Sequence, residues 1–323
     1  MLKPGGYFFG AAVMRYEKPP ISIQQQVELL RERGMAVPDP DRAAHYLTHI
    51  GYYRLSAYWL PFERLPELDG QRSHRFNNGV SFDDVLDRYV LDRQLRLLCL
   101  EALERIEISV RAAWVNAFAL RYGPHAYLNA ELFKCPYAHA VQVAQVAGEM
   151  QKSSEVFVDH YRKKYREPGL APIWVMAETL SFGALSKWIQ STRDTEVQKV
   201  VMRQLSLPTV EIMHGVLHNL SQLRNICAHH ARLWNRRFPK KYPYIIKMPD
   251  LVQPEADEDE ARSIRNHLVM LRHLMVVINP HSSWPQRLCE FLSRQCAETI
   301  RAMRLPPNWL EILGPTSSGR IQP

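Results

Sequence analysis

The chain has 323 residues, 46% of them hydrophobic and 23% charged. That is enough for about two average domains or one large one, and too apolar for wholesale disorder. Lys plus Arg total 41 against 33 Asp plus Glu, a net charge of +8 with histidine neutral, which suits a polyanionic partner such as nucleic acid or an anionic surface. Cys99, Cys135, Cys227, Cys289 and Cys296 are few and scattered, as expected of free thiols in a reducing compartment. No apolar run approaches the ~18 residues of a membrane span, and the stretch Tyr7 to Val13 is too short and Gly-rich for a signal peptide. The expected location is the cytoplasm.

In chain order, residues 1–17 read as a disordered extension. Ser22 opens a helix with a capping box to Gln25, and Gly34 stands where a C-terminal glycine ends it. Asp41 is placed to cap a second helix through Ala43, Leu47 and Ile50. An aromatic-rich stretch with Tyr52, Tyr53, Tyr58 and Trp59 runs to Pro61, and residues 63–79 read as an exposed loop. Ser81 caps the longest periodic segment, 82–122, closed by Gly123-Pro124. Unbroken, it would be about 60 Å long, so a kink or break is expected. Further helices are predicted over 138–152, 155–166, 172–190, 208–235, 258–278 and 284–303, with 304–323 as a flexible tail. No alternating β-branched run and no internal repeat appears. The predicted class is all-α, with short connections favouring antiparallel neighbours.

Residues 212–249 contain no Asp or Glu but carry Arg224, Arg232, Arg236, Arg237, Lys240, Lys241 and Lys247. An acidic run from Asp250 to Glu260 follows. Uninterrupted positive charge beside Trp234, Phe238, Tyr242 and Tyr244 is what contact with a phosphate backbone needs. The plainer alternative is a solvated basic face balanced by the acidic run. Within the block, Asn225 and His229 stand at i and i+4, and the long side chain of Arg224 can swing over the same patch. A guanidinium, an amide and an imidazole in one small volume are the parts of a metal-free ribonuclease. The imidazole moves a proton on or off the ribose 2′-hydroxyl or the leaving 5′-oxygen. The guanidinium forks onto the phosphate, and the amide orients either one.

Two other readings compete for nearby residues. His214 and His218, at i and i+4, have a metal-clamping spacing, with Cys227 and His229 as further ligands on paper. Gly215 stands where a zinc protease has Glu, and the block lacks an acidic ligand, so no metal and no cofactor are expected. Glu104, Glu107 and Arg111 read either as helix-surface ion pairs or as polar support for the site, with Glu104 structural. The aromatic cluster at 52–59 reads as core packing ahead of base stacking, and Cys227 as a small hydrophobe.

The run Arg224-Asn225-Ile226-Cys227-Ala228-His229-His230-Ala231-Arg232-Leu233-Trp234-Asn235 closely resembles the signature of the Abi-like family of bacterial abortive-infection proteins, the AbiD/AbiF group. Other stretches agree in order and spacing: Lys18-Pro19-Pro20, His45-Tyr46-Leu47, Ile50 through Trp59, Asp92 through Arg96, Glu104 through Glu107 with Arg111, and Pro172-Ile173-Trp174 with Glu178 and Ser181-Phe182-Gly183. The resemblance covers roughly residues 18–240. It implies a HEPN-type helical bundle with additional N-terminal and C-terminal helices, an Abi-like domain over 18–303 and a HEPN core in roughly 82–303. It further implies metal-independent RNA cleavage by Arg224, Asn225 and His229, with His230 part of the same block. Arg232, Arg236, Arg237, Lys240 and Lys241 would hold RNA, and Glu104 and Arg111 would support the site. HEPN nucleases usually join two motifs at a dimer interface. This chain has one good copy, which implies a homodimer, in a system where an RNA or protein antitoxin can act. The rival implication is a non-catalytic scaffold of the same fold.

Overall fold

The computed structural model describes residues 19–65, 72–243, 245–252 and 257–315; the expected extension at 1–17 lies outside them. The described residues are all-α, with fifteen α-helices, three single-turn 3₁₀ helices and isolated β-bridges but no strand. Contacts divide the chain into two compact units, residues 1–90 and 91–323.

The first unit holds α1 (Ile23–Glu32), α2 (Pro40–Ile50), α3 (Tyr52–Trp59) and the start of α4 (Phe82–Tyr122). The capping box at α1 is present, the Ser22 hydroxyl accepting from the Gln25 N–H at 3.2 Å and the Gln25 amide oxygen accepting from the Ser22 N–H at 2.8 Å. Gly34 follows α1 at φ +92°, a left-handed conformation that glycine adopts without strain. The cap of α2 is Asp39, not Asp41: its carboxylate accepts from the Arg42 N–H at 2.9 Å, which puts Pro40 at the first helical position, where its fixed φ fits. The aromatic stretch forms α3, with Leu55, Tyr58 and Trp59 buried.

Helix α4 runs 41 residues without the expected break. Ser81 and Asp84 exchange capping hydrogen bonds at its start. In the second unit Leu95, Cys99, Ala102, Ile106, Val110, Trp114 and Phe118 are all completely buried along it. Such a continuous apolar stripe lets packing sustain a helix of this length.

The second unit continues with α5 (Pro136–Lys152), α6 (Val156–Lys164), α7 (Ile173–Glu178), α8 (Phe182–Ser191), α9 (Thr195–Gln204), α10 (Val210–Ala228), α11 (Glu258–Ala261), α12 (Ile264–Ile278), α13 (Trp284–Ser293), α14 (Ala297–Ala302) and α15 (Trp309–Leu313). Three segments predicted as single helices are pairs. Ser181 starts α8 and Ser263 starts α12 by accepting backbone N–H groups of Ala184 and Arg265, so each serine opens a new helix after the preceding one has closed at Thr179 or Arg262. The stretch 284–303 is divided between α13 and α14 at residues 294–296. The segment expected as a flexible tail begins with ordered chain, since α15 buries Leu313 and packs on α12 and α13. Helix α10 lies mainly against α8, and also meets α9 and α12. All five cysteines are free thiols. No described helix is long and apolar enough to cross a membrane.

Candidate active site

Helix α10 begins at the Thr209 cap, whose hydroxyl accepts the Ile212 N–H at 3.2 Å. It buries Met213, Val216, Leu217, Leu220, Leu223 and Cys227. The helix does not reach residue 235 as expected; it ends at Ala228. Its final carbonyls are satisfied within the turn. The N–H of His229 donates to Asn225 O at 2.9 Å, that of His230 to Cys227 O at 3.1 Å, and that of Ala231 to Ile226 O at 2.9 Å. This is a Schellman closure, and its left-handed position, usually glycine, is held by His230 at φ +57°.

The chain beyond the turn is held by α4. Asp92 is completely buried, and one carboxylate oxygen accepts the N–H groups of Leu233 and Trp234 at 2.8 and 2.7 Å. Its other oxygen pairs with Arg96, one turn along, which also donates to Ala231 O at 3.4 Å. A carboxylate taking two backbone donors is what stops residues 231–234 from continuing the helix.

Arg224, Asn225 and His229 therefore share the last turn of α10. Asn225, His229 and His230 are exposed, and Arg224 is partly so. The Arg224 guanidinium lies 4.0 Å from Glu107 on α4. Glu107 also binds Arg111 at 2.8 Å, and Arg111 donates to Leu180 O at 3.0 Å and faces Glu178 at 3.6 Å. The carboxylate beside Arg224 is thus Glu107, while Glu104 is exposed. Behind the turn, Cys227 and Cys99 are completely buried. A hydrogen bond to Cys227, together with burial, raises the Cys99 thiol well above its ordinary value, so Cys99 packs there as a neutral thiol.

The remaining basic residues are not gathered on that turn. Arg232 follows it and is partly buried. Arg236 and Arg237 line one cleft, and Lys240 and Lys241 line another of about 490 Å³ with His214 and His218. Burial lowers both of those imidazoles below their usual value. Gly215 has a packing role, since a Cβ there would lie 3.1 Å from the Pro243 ring, and the same region is tied down by the Asn219 amide donating to Lys241 O at 3.3 Å. Among the described residues no three His, Cys, Asp or Glu side chains form a metal-holding group. Cys227 is buried while His229 is exposed, so the four paper ligands do not converge.

Sequence reasoning did not find the Asp92–Arg96 pair, whereas Glu107 was read there, with Glu104 and Arg111, as a helix-surface ion pair or as polar support for the site. The signal for the first pair was present: two charges at i and i+4 around Leu95, in the middle of an apolar stripe, require each other.

A family described as Abi-like protein has a model that matches residues 45–235, a span that takes in Asp92, Arg96, Glu107 and the whole Arg224–His230 turn. Comparison with curated proteins and with solved structures found no match. The matched span exceeds half of the sequence, and the chain belongs to the Abi-like protein family.

Proposed function

We propose that this protein is a metal-independent endoribonuclease of HEPN type, the effector of an abortive-infection or toxin–antitoxin system. The observation that carries the reading is the last turn of α10, where Arg224, Asn225 and His229 stand together at the surface with Glu107 beside the guanidinium. In the proposed reaction the ribose 2′-oxygen attacks the adjacent phosphorus and the bond to the 5′-oxygen breaks, giving a 2′,3′-cyclic phosphate and a 5′-hydroxyl. One imidazole takes the 2′ proton and a second protonates the leaving oxygen. Arg224 stabilises charge on the non-bridging oxygens, and Asn225 orients its neighbours. Because one chain supplies a single Arg224–His229 set, the reading includes a homodimer, with the partner's His229 as the second group. Arg232, Arg236, Arg237, Lys240 and Lys241 would attract the RNA strand, and an RNA or protein antitoxin would hold the effector silent.

A second reading, a non-catalytic RNA-binding scaffold, is favoured by one feature: Glu107 partly neutralises the arginine that would meet phosphate. Incubating the purified protein with labelled total RNA, with and without EDTA, separates the two. Cleavage that persists in EDTA is expected for the nuclease. RNA binding without cleavage, from a protein harmless on expression, would establish the scaffold.

A further inference from the structure

The arginine half of the basic block enters a cavity of about 520 Å³ in the second unit. One wall is the chain beyond the α10 turn, with Asn235, Arg236 and Arg237; the facing wall is α14 and its exit, with Arg301 and Arg304. The volume falls in the range of small-molecule sites, about 300–1,000 Å³.

The lining is chemically lopsided. Arg237 is neutralised by Glu258 and Asp259 at 3.3 and 3.0 Å. Arg301 and Arg304 have no carboxylate within ion-pair distance among the described residues. Arg236 donates to Arg232 O at 3.3 Å, but its Nε is buried with no acceptor, and the Asn235 side-chain oxygen is buried with no donor. The lining carries four guanidinium groups against the two carboxylates of Asp259 and Glu298, an excess that calls for an anionic ligand.

Backbone conformation adds a separate observation. Helix α14 closes with Arg304 N–H donating to Arg301 O at 2.9 Å and Leu305 N–H to Ile300 O at 3.3 Å. Arg304 itself sits at φ +58°, in a position where glycine would be unstrained. A guanidinium is thus held at the cavity in a conformation that costs an L-residue energy.

We propose that this cleft binds a nucleotide through its phosphate. Arginine forks bind phosphate oxygens in pairs, and Arg301, Arg304 and Arg236 supply them from both walls. Asp259 and Glu298 accept the sugar-hydroxyl or base-amino hydrogens that a nucleoside adds to the phosphate. The site uses none of Arg224, Asn225 or His229, so it stands or falls apart from the nuclease reading. The phosphate can belong to a free nucleotide or to the phosphorylated end of a strand.

The test is calorimetric titration of the full chain with adenosine and guanosine 5′-diphosphate, adenosine, inorganic phosphate, and a 2′-deoxytrinucleotide with or without a 5′-phosphate. Lacking 2′-hydroxyls, the trinucleotide cannot be consumed by 2′ attack. Saturable binding of a phosphate-bearing nucleotide is expected, with adenosine or the unphosphorylated strand about tenfold weaker or worse. Binding of the diphosphates alone assigns a free nucleotide; binding of the 5′-phosphorylated strand alone assigns a strand end. Arg301→Gln and Arg304→Gln should each weaken the bound probe about tenfold. Should a variant fail to fold, hydrogen exchange on the wild-type chain still decides: the probe should protect residues 235–237 and 298–305. No saturable binding, equal affinity for inorganic phosphate, unaltered affinity in folded variants, or protection confined to other segments would each overturn the proposal.

Discussion

The buried carboxylate of Asp92 accepts the backbone N–H of Trp234 at 2.7 Å, across 142 positions of sequence. With the Leu233 N–H on the same oxygen, this contact fixes where the helix carrying Arg224, Asn225 and His229 must end. Asp92→Ala takes the Asp92 carboxylate away from the buried Arg96 guanidinium and leaves the two N–H groups without their acceptor. A loss of about 3–5 kcal/mol is expected, read as a lowered denaturant midpoint. Asp92→Ala with wild-type stability would mean that α4 does not hold the turn.

His230 occupies the left-handed position of the turn at φ +57°. His230→Gly removes the steric cost of that conformation, at most about 1–2 kcal/mol, against the extra chain entropy of glycine. Stability should therefore hold or rise slightly, whereas His230→Val should lose about 1 kcal/mol or more. If His229 is the proton-transfer group, His230→Gly also keeps most of the cleavage activity. A His230→Gly chain that folds but is as inactive as His229→Ala would transfer that role to His230.

Much of this arrangement was legible in the sequence. Ser22, Ser81 and Gly34 announced their helix ends, because capping is local chemistry. The Asn225–His229 spacing pointed to the candidate site, because i and i+4 share a helix face. What escaped was non-local. The end of α10 is set by Asp92, far away in sequence, so the periodic pattern of 208–235 overshot by seven residues. Ser181 and Ser263 lie inside segments whose helical pattern looked continuous. The division of the basic block between two clefts depends on α14 and on the turn after α10, which no single stretch encodes.

Acid should destabilise the protein through His267. Its ring stacks on Phe238 at 3.8 Å and meets Tyr242 at 4.9 Å, and complete burial pushes its pKa from 6.5 down to about 3. A group depressed in the folded state is protonated first in the unfolded chain. Its contribution is present above pH 6.5 and is lost as the pH falls from there toward about 3. Within that window the slope approaches one proton, about 1.4 kcal/mol per pH unit. His267→Gln should lower stability at neutral pH yet flatten its fall between pH 6 and about 4, measured by urea unfolding against pH. An unchanged slope in His267→Gln would contradict the assignment.

A shared site between two protomers predicts a non-linear mixing curve. Excess His229→Ala chain is added to wild type and allowed to exchange. If each centre needs both imidazoles, activity per wild-type chain should collapse as mixed dimers form. Activity that stays proportional to the number of wild-type chains, or an active species of monomeric mass, would rule out the composite centre.

The central claim is that the α10 turn cleaves RNA by 2′-hydroxyl attack, and the ends of the products report it most directly. End-labelled RNA is incubated in EDTA with wild type and with a His229→Ala chain of matched thermal stability, and the 3′ ends are mapped. The expected result is a 2′,3′-cyclic phosphate and a 5′-hydroxyl from wild type, with His229→Ala slower by about 10²–10⁴-fold. Equal cleavage by a folded His229→Ala chain, or products ending in a 3′-hydroxyl, would contradict it.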